Sequence, residues 1–85
     1  MPTILLVNGW RFFFYANEGN EPMHIHARKG DMECKFWLKP LAFDIEEAFA
    51  HGLGPADRRE VRKIIFAHFA QLEAGWKSFQ KRKKT

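Results

Sequence analysis

Two strand-like runs, TILLV (3–7) and WRFFFYA (10–16), are separated by Asn8-Gly9 alone. So short a connection folds the chain straight back on itself. The type I′ turn that suits the twist of paired strands needs positive φ at both positions, which Asn and Gly adopt at least cost. The chain therefore opens as a β-hairpin, and the residues beyond it must cover the apolar face that this hairpin presents.

The segment NEGNEP (17–22) is a loop by its Gly and Pro. MHIHARK (23–29) and MECKFWL (32–38) make a second strand pair around Gly30, ended by Pro40. LAFDI (41–45) is a candidate fifth strand, and its continuation EEAFAHGLG (46–54) is read as a connecting loop, with an irregular strand end as the alternative. From Pro55 the period changes. Val61, Ile64, Ile65, His68, Phe69, Leu72, Trp76 and Phe79 recur at helical spacing. Pro55 suits a first helical turn, and Asp57 with Glu60 suits its positive end. One long helix is expected over 55–80, or two joined by a bend near 70–75, with Gly75 marking a kink or a close contact. His68, on the apolar stripe, reads as a core histidine.

Strands first and helix last give an α+β fold. It has a small antiparallel sheet over 1–45, a C-terminal helical segment packed on one face, and a basic tail at 81–85, all in one domain. At 85 residues the chain buries only about 60–65% of its unfolded surface. Most of its nine Phe and three Trp must enter the core.

Strand parity sorts the side chains. Ile25 and Ala27 point one way, and His24, His26 and Arg28 the other. With a two-residue turn at Lys29-Gly30 or Gly30-Asp31, Cys34, Phe36 and Leu38 join the apolar set. Glu33, Lys35 and Trp37 then join the histidines. Counting from Asn8-Gly9 sends Leu5, Val7, Trp10, Phe12 and Phe14 to one face and Ile4, Leu6, Arg11, Phe13 and Tyr15 to the other. The second face thus collects Arg11, Phe13, Tyr15, His24, His26, Arg28, Lys35 and Trp37. Basic residues interleaved with aromatics are what a nucleic-acid-stacking sheet presents. A second minicore, closed by a loop or a partner, has the same composition.

Three chemistries compete for the histidine pair. His-x-His on a strand places two imidazoles about 6.6 Å apart, near enough to chelate a metal. The third ligand would come from Glu33, Asp31, Glu18 or His51, none at a diagnostic spacing, so no metal and no cofactor is assigned. His24 and His26 as base and acid could cleave RNA without metal, with Lys35 or Arg28 stabilising the phosphorane. Passive phosphate binding fits the same residues. Cys34, on the core face, is an inert thiol.

The net charge of +4 and pI near 9.5 favour an anionic partner. The lone Cys34 excludes an internal disulfide and points to a reducing compartment, hence the cytoplasm. MPTILLV lacks the features of a signal peptide, and no run approaches the ~18 apolar residues of a membrane helix, so no membrane is expected. Phe66, Ala67, Ala70 and Ala74 widen the helix's apolar surface, which makes a homodimer or a protein partner credible.

RFFFYANEGNEPMHIHARKGDMECKFWLKP (11–40), with RREVRKII (58–65) and GW (75–76), resembles the bacterial family known as domain of unknown function 4160. Pro22-Met23 stands where the family pattern has two prolines. The resemblance implies a small cytosolic bacterial protein encoded beside another small gene, in a regulatory or toxin–antitoxin-like pair. It carries over Arg11, Phe13, Tyr15, Asn17, Glu18, His24 and His26 as motif positions and gives them no mechanism. The leading expectation is a non-enzymatic module binding nucleic acid or the neighbouring gene's protein through the histidine face. A ribonuclease using His24 and His26, and a structural dimer module, are the alternatives.

Overall fold

The computed structural model describes residues 3–15 and 21–83. Five strands form one antiparallel sheet in chain order: β1 (Thr3–Val7), β2 (Trp10–Phe13), β3 (His24–Lys29), β4 (Met32–Lys39) and β5 (Asp44–His51). Two helices complete the chain, α1 (Pro55–Ala67) and α2 (Phe69–Lys83).

The turns set the parity of the sheet. Asn8 and Gly9 both take positive φ, 52° and 83°, so the first hairpin turns as type I′. The second turns at Gly30-Asp31, with Gly30 at φ 60° and Lys29 opposite Met32, which is the type II′ pattern. Ile25 then faces Phe36 and Ala27 faces Cys34, while His24 pairs with Trp37, His26 with Lys35 and Arg28 with Glu33. The first set, with Trp10, Phe12 and Phe14, meets Val61, Ile64, Ile65, Phe69, Leu72 and Trp76 of the helices in the main core.

Four features depart from expectation. Residues 44–51, split between a short strand and a connecting loop, form one eight-residue strand. Pairing with β5 engages the outer edge of β4 from Glu33 to Lys39. A register irregularity opposite Lys35 and Phe36 leaves Ala48 as an extra residue, and this, with Glu47 opposite the core residue Phe36, breaks the strand's alternation. Glu47, opposite Phe36, accepts a hydrogen bond from Arg58 Nε of α1 at 3.0 Å.

In β1 the register shifts between Thr3 and Leu5. Ile4, assigned to the histidine face, turns instead towards α2 and packs against the main core. A Cβ on Gly75 would lie 2.9 Å from Ile4 Cγ2, so Gly75 marks a close approach and not a kink.

The helix breaks at His68, not near 70–75. His68 sits at φ −121°, ψ 25°, half-buried, and its N–H donates to the carbonyls of Ile64 and Ile65 at 3.1 and 3.3 Å. It is a joint between helices and not a core histidine. An unbroken helix over 55–83 would run about 43 Å, past the molecule's longest dimension of 39 Å. The bend lets α2 reach β1, where Gln71 Nε2 donates to the Ile4 carbonyl at 3.4 Å. The first residues of the basic tail, 81–83, belong to α2.

Two terms oppose each other at Gly75. Replacing an interior helical Gly by Ala gains up to about 1 kcal/mol of helix propensity, and overpacking costs about 1–3 kcal/mol. Gly75→Ala should therefore destabilise the wild type and stabilise an Ile4→Ala background by about 1 kcal/mol, as read by denaturant unfolding of all four proteins. Equal effects in both backgrounds would contradict the contact.

Candidate functional site

The second face of the sheet is built in cross-strand rows. One row is Phe13–His26–Lys35–Phe49, and the next is Arg11–Arg28–Glu33–His51. A third joins His24 to Trp37 and Glu46.

Most of this face is interior. Phe13 and His24 are 0% exposed and His26 2%, and Lys35 is also buried. Tyr15, just past the end of β2, folds over the row. Its ring stands edge-on to His26 and Phe13, with centroids at 4.6 and 5.1 Å. Its hydroxyl donates to Glu33 Oε2 at 3.0 Å. Phe13 stacks on His26 at 5.5 Å, and the same Glu33 oxygen lies 3.9 Å from His26 Nδ1. Lys35 is ion-paired with Glu21, its ammonium lying 4.4 Å from the centre of the Trp37 ring. Arg11 lies on Phe13, its guanidinium carbon 4.9 Å from the ring centre.

His24 closes the end of the sheet where the two cores meet. Its ring lies 4.8 Å from Trp76 of α2, 5.6 Å from Trp37 and 5.3 Å from His26. Its Nδ1 is 2.8 Å from the Pro22 carbonyl oxygen. A carbonyl only accepts, so Nδ1 is the donor in this contact.

The expected open surface is thus corrected at Phe13, His24, His26 and Lys35. A small domain with this many aromatics gains more by burying them under Tyr15 than by displaying them. Trp37 is half-buried beneath the Lys35 ammonium. Asn17 and Glu18 lie outside the described residues. Among the described residues, no three His, Cys, Asp or Glu side chains are grouped so as to hold a metal ion. Among the described third-ligand candidates, Glu33, Asp31 and His51, it is Glu33 that lies near a histidine, and it already accepts from Tyr15.

What remains accessible is the cationic end of the face. Arg11, Arg28 and Lys29 line a cleft of about 220 Å³ together with Gly9 and Gly30. A meander brings both two-residue turns to the same end of the sheet, so their flanking cations converge. Arg11 and Arg28 are direct cross-strand partners, an arrangement that is destabilising for like charges. Among the described residues no carboxylate lies within 4 Å of either guanidinium, since Glu33 is engaged by Tyr15. Arg11 Nε is buried without a hydrogen-bond partner among the described residues. The stem of Lys29 crosses Gly9, where a Cβ would come within 3.2 Å of its Cε. Strand parity alone does not point to Gly9 and Lys29; the sequence signal for them is the shared end of the two turns.

Cys34 is sealed in the core, its Sγ donating to the Ala27 carbonyl at 3.8 Å. Burial, reinforced by the Glu47 charge, pushes its thiol up to about 12. Between the ordinary thiol pKa of about 8.5 and that value the unfolded chain loses this proton while the folded chain keeps it. Cys34 therefore subtracts stability as pH rises through this window and subtracts none below it. An aromatic disulfide reagent at pH 8 should leave native Cys34 unmodified and label it fully in denaturant. Rapid native labelling would contradict its burial. Tyr15→Phe should lower stability by about 1–2 kcal/mol in chemical unfolding, and an unchanged midpoint would mean that the hydroxyl contributes nothing to the closed face.

No curated protein and no solved structure matches this chain. A family described as "Domain of unknown function (DUF4160)" matches residues 9–77, from the first turn, across every histidine, to α2. The chain belongs to the DUF4160 family.

Proposed function

We propose that this protein is a non-enzymatic nucleic-acid-binding module that holds phosphates in the Arg11–Arg28–Lys29 cleft. The observation that carries this is the directly opposed Arg11 and Arg28 pair, with no carboxylate within 4 Å among the described residues. Two like charges side by side cost free energy in the empty protein, and a bound anion offsets it. The charge of +4 supports an anionic partner. Base stacking has no support: Phe13 is interior and Trp37 lies under Lys35. Recognition is therefore of backbone phosphates, largely independent of sequence.

We read the setting as the bacterial cytoplasm, within a regulatory or toxin–antitoxin-like gene pair. A lone buried Cys34 suits a reducing compartment, and among the described residues no helix is long and apolar enough to cross a membrane. Ribonuclease action by His24 and His26 finds no support in buried rings, His26 beneath Tyr15 and His24 against Trp76, because an acid or base must reach the proton it transfers. Association with a second copy has one observation in its favour. Leu41 and Phe43 stand exposed in the β4–β5 turn, and Phe43, at φ 49°, lies 5.5 Å from the half-buried Phe66. Trp76, in contrast, is buried and inaccessible to a partner.

Fluorescence titration of a short DNA or RNA duplex tests the cleft. The logarithm of the affinity should fall with the logarithm of salt at a slope of about −2 to −3, for two to three phosphates neutralised. Arg28→Ala should weaken binding on every sequence alike and flatten that slope by about 1. Absence of binding at low salt, or a slope unchanged in Arg28→Ala, would overturn the proposal.

A further inference from the structure

Arg28 of β3 and Glu33 of β4 are direct cross-strand partners. Residues so placed have Cβ atoms about 4.5–5.5 Å apart, and opposite charges there ordinarily pair. Here they do not, since among the described residues no carboxylate lies within 4 Å of the Arg28 guanidinium. The Glu33 carboxylate is drawn instead to the neighbouring row. Its Oε2 accepts from the Tyr15 hydroxyl at 3.0 Å and lies 3.9 Å from His26 Nδ1. Arg28 is exposed, with Arg11 directly opposite it on its other side, so it would gain from its own carboxylate. The contact with Tyr15 is what holds Glu33 away.

Two positions, separated by a change of rotamer, are thus within reach of one carboxylate. The Tyr15 hydroxyl is a neutral donor and leaves Glu33 charged, so the bond decides only what that charge touches. In contact with Arg28, Glu33 would occupy the forked N–H groups that a phosphate also requires. Held at Tyr15, it leaves those donors open to a ligand of the cleft that Arg28 lines. We infer that Glu33 is an internal competitor of phosphate for Arg28, and that Tyr15 is the positioning residue that keeps this competitor aside. The inference rests on the phosphate-binding reading of the cleft and adds its control. Because the two contacts of Glu33 compete, the coupling is reciprocal. A phosphate on Arg28 favours the Tyr15–Glu33 bond, and with it the cover that Tyr15 forms over His26.

Titration of a short duplex into Tyr15→Phe, Glu33→Gln and their double variant tests this. Tyr15→Phe should weaken binding about fivefold or more and flatten the salt slope by about 1, as the loss of Arg28 does. Glu33→Gln should bind at least as tightly as wild type, and adding Tyr15→Phe to it should change nothing. Tyr15→Phe should likewise add nothing to Arg28→Ala. A merely structural role of Tyr15 would persist in both backgrounds, because each double variant carries the same ring change. Unfolding without ligand supplies the second readout. Arg28→Ala should lower the denaturant midpoint more in Tyr15→Phe than in wild type, and Glu33→Gln should abolish the difference. Unchanged affinity in Tyr15→Phe, a loss that persists in Glu33→Gln, or an Arg28→Ala midpoint shift equal with and without the Tyr15 hydroxyl would overturn the inference and leave the cleft a phosphate site. A wild-type chain that binds no duplex would overturn both.

Discussion

Both faces of this sheet depend on the number of residues in the turn at Gly30-Asp31. With two, Ile25 meets Phe36 and His26 meets Lys35. A slip by one would send Cys34 and Phe36 to the histidine side and Lys35 and Trp37 into the helix-covered core, at the cost of burying an ammonium away from its Glu21 partner. Gly30, at φ 60°, fits that turn without a side-chain penalty. The first hairpin, fixed by Asn8-Gly9, adds its strands with matching parity, so Phe12 joins the core and Phe13 stacks on His26.

That parity leaves polar groups to be housed. A small sheet with helices on one face only has a second face whose aromatics remain in water unless something covers them. Tyr15 and Glu21 supply that cover with one hydrogen bond and one ion pair, to Glu33 and Lys35. His24 donates to the Pro22 carbonyl beneath Trp76. The histidines that look like reagents in the sequence are structural members of a polar minicore. Drawing Glu33 towards Tyr15 also leaves Arg28 without its cross-strand carboxylate, which makes the neighbouring cleft strongly cationic. Burial in one row and exposed charge in the next are two results of the same packing.

The range of each interaction decides how far it was legible in the sequence. Asn8-Gly9 and the alternation of 24–28 against 33–37 are local signals, and the strands and their faces came from them. The antiparallel sheet came with those strands, its fifth strand only as a candidate, and the helical C-terminus came from the apolar spacing after Pro55. Burial of His26 was not legible, because Tyr15 lies eleven positions away and alternation assigns a face without saying what lies over it. The extent of β5 was hidden by Glu47, which stands opposite the core residue Phe36, and by the extra residue Ala48 between the partners of Lys35 and Phe36, which together break the alternation. The break at His68 carries no Gly or Pro to announce it. It answers to the length of the helix against the sheet, a property of the whole molecule.

The central claim is that binding occurs at the cationic end of a face whose histidines stay enclosed. The most direct measurement is residue-resolved NMR of the full chain during addition of a short nucleic-acid duplex. Resonances of Gly9, Arg11, Arg28, Lys29 and Gly30 should move together and saturably, while the ring Cε1–H signals of His24 and His26 stay in place. Displacement of those ring signals with the cleft unmoved would contradict the account and return the histidine pair to the working surface.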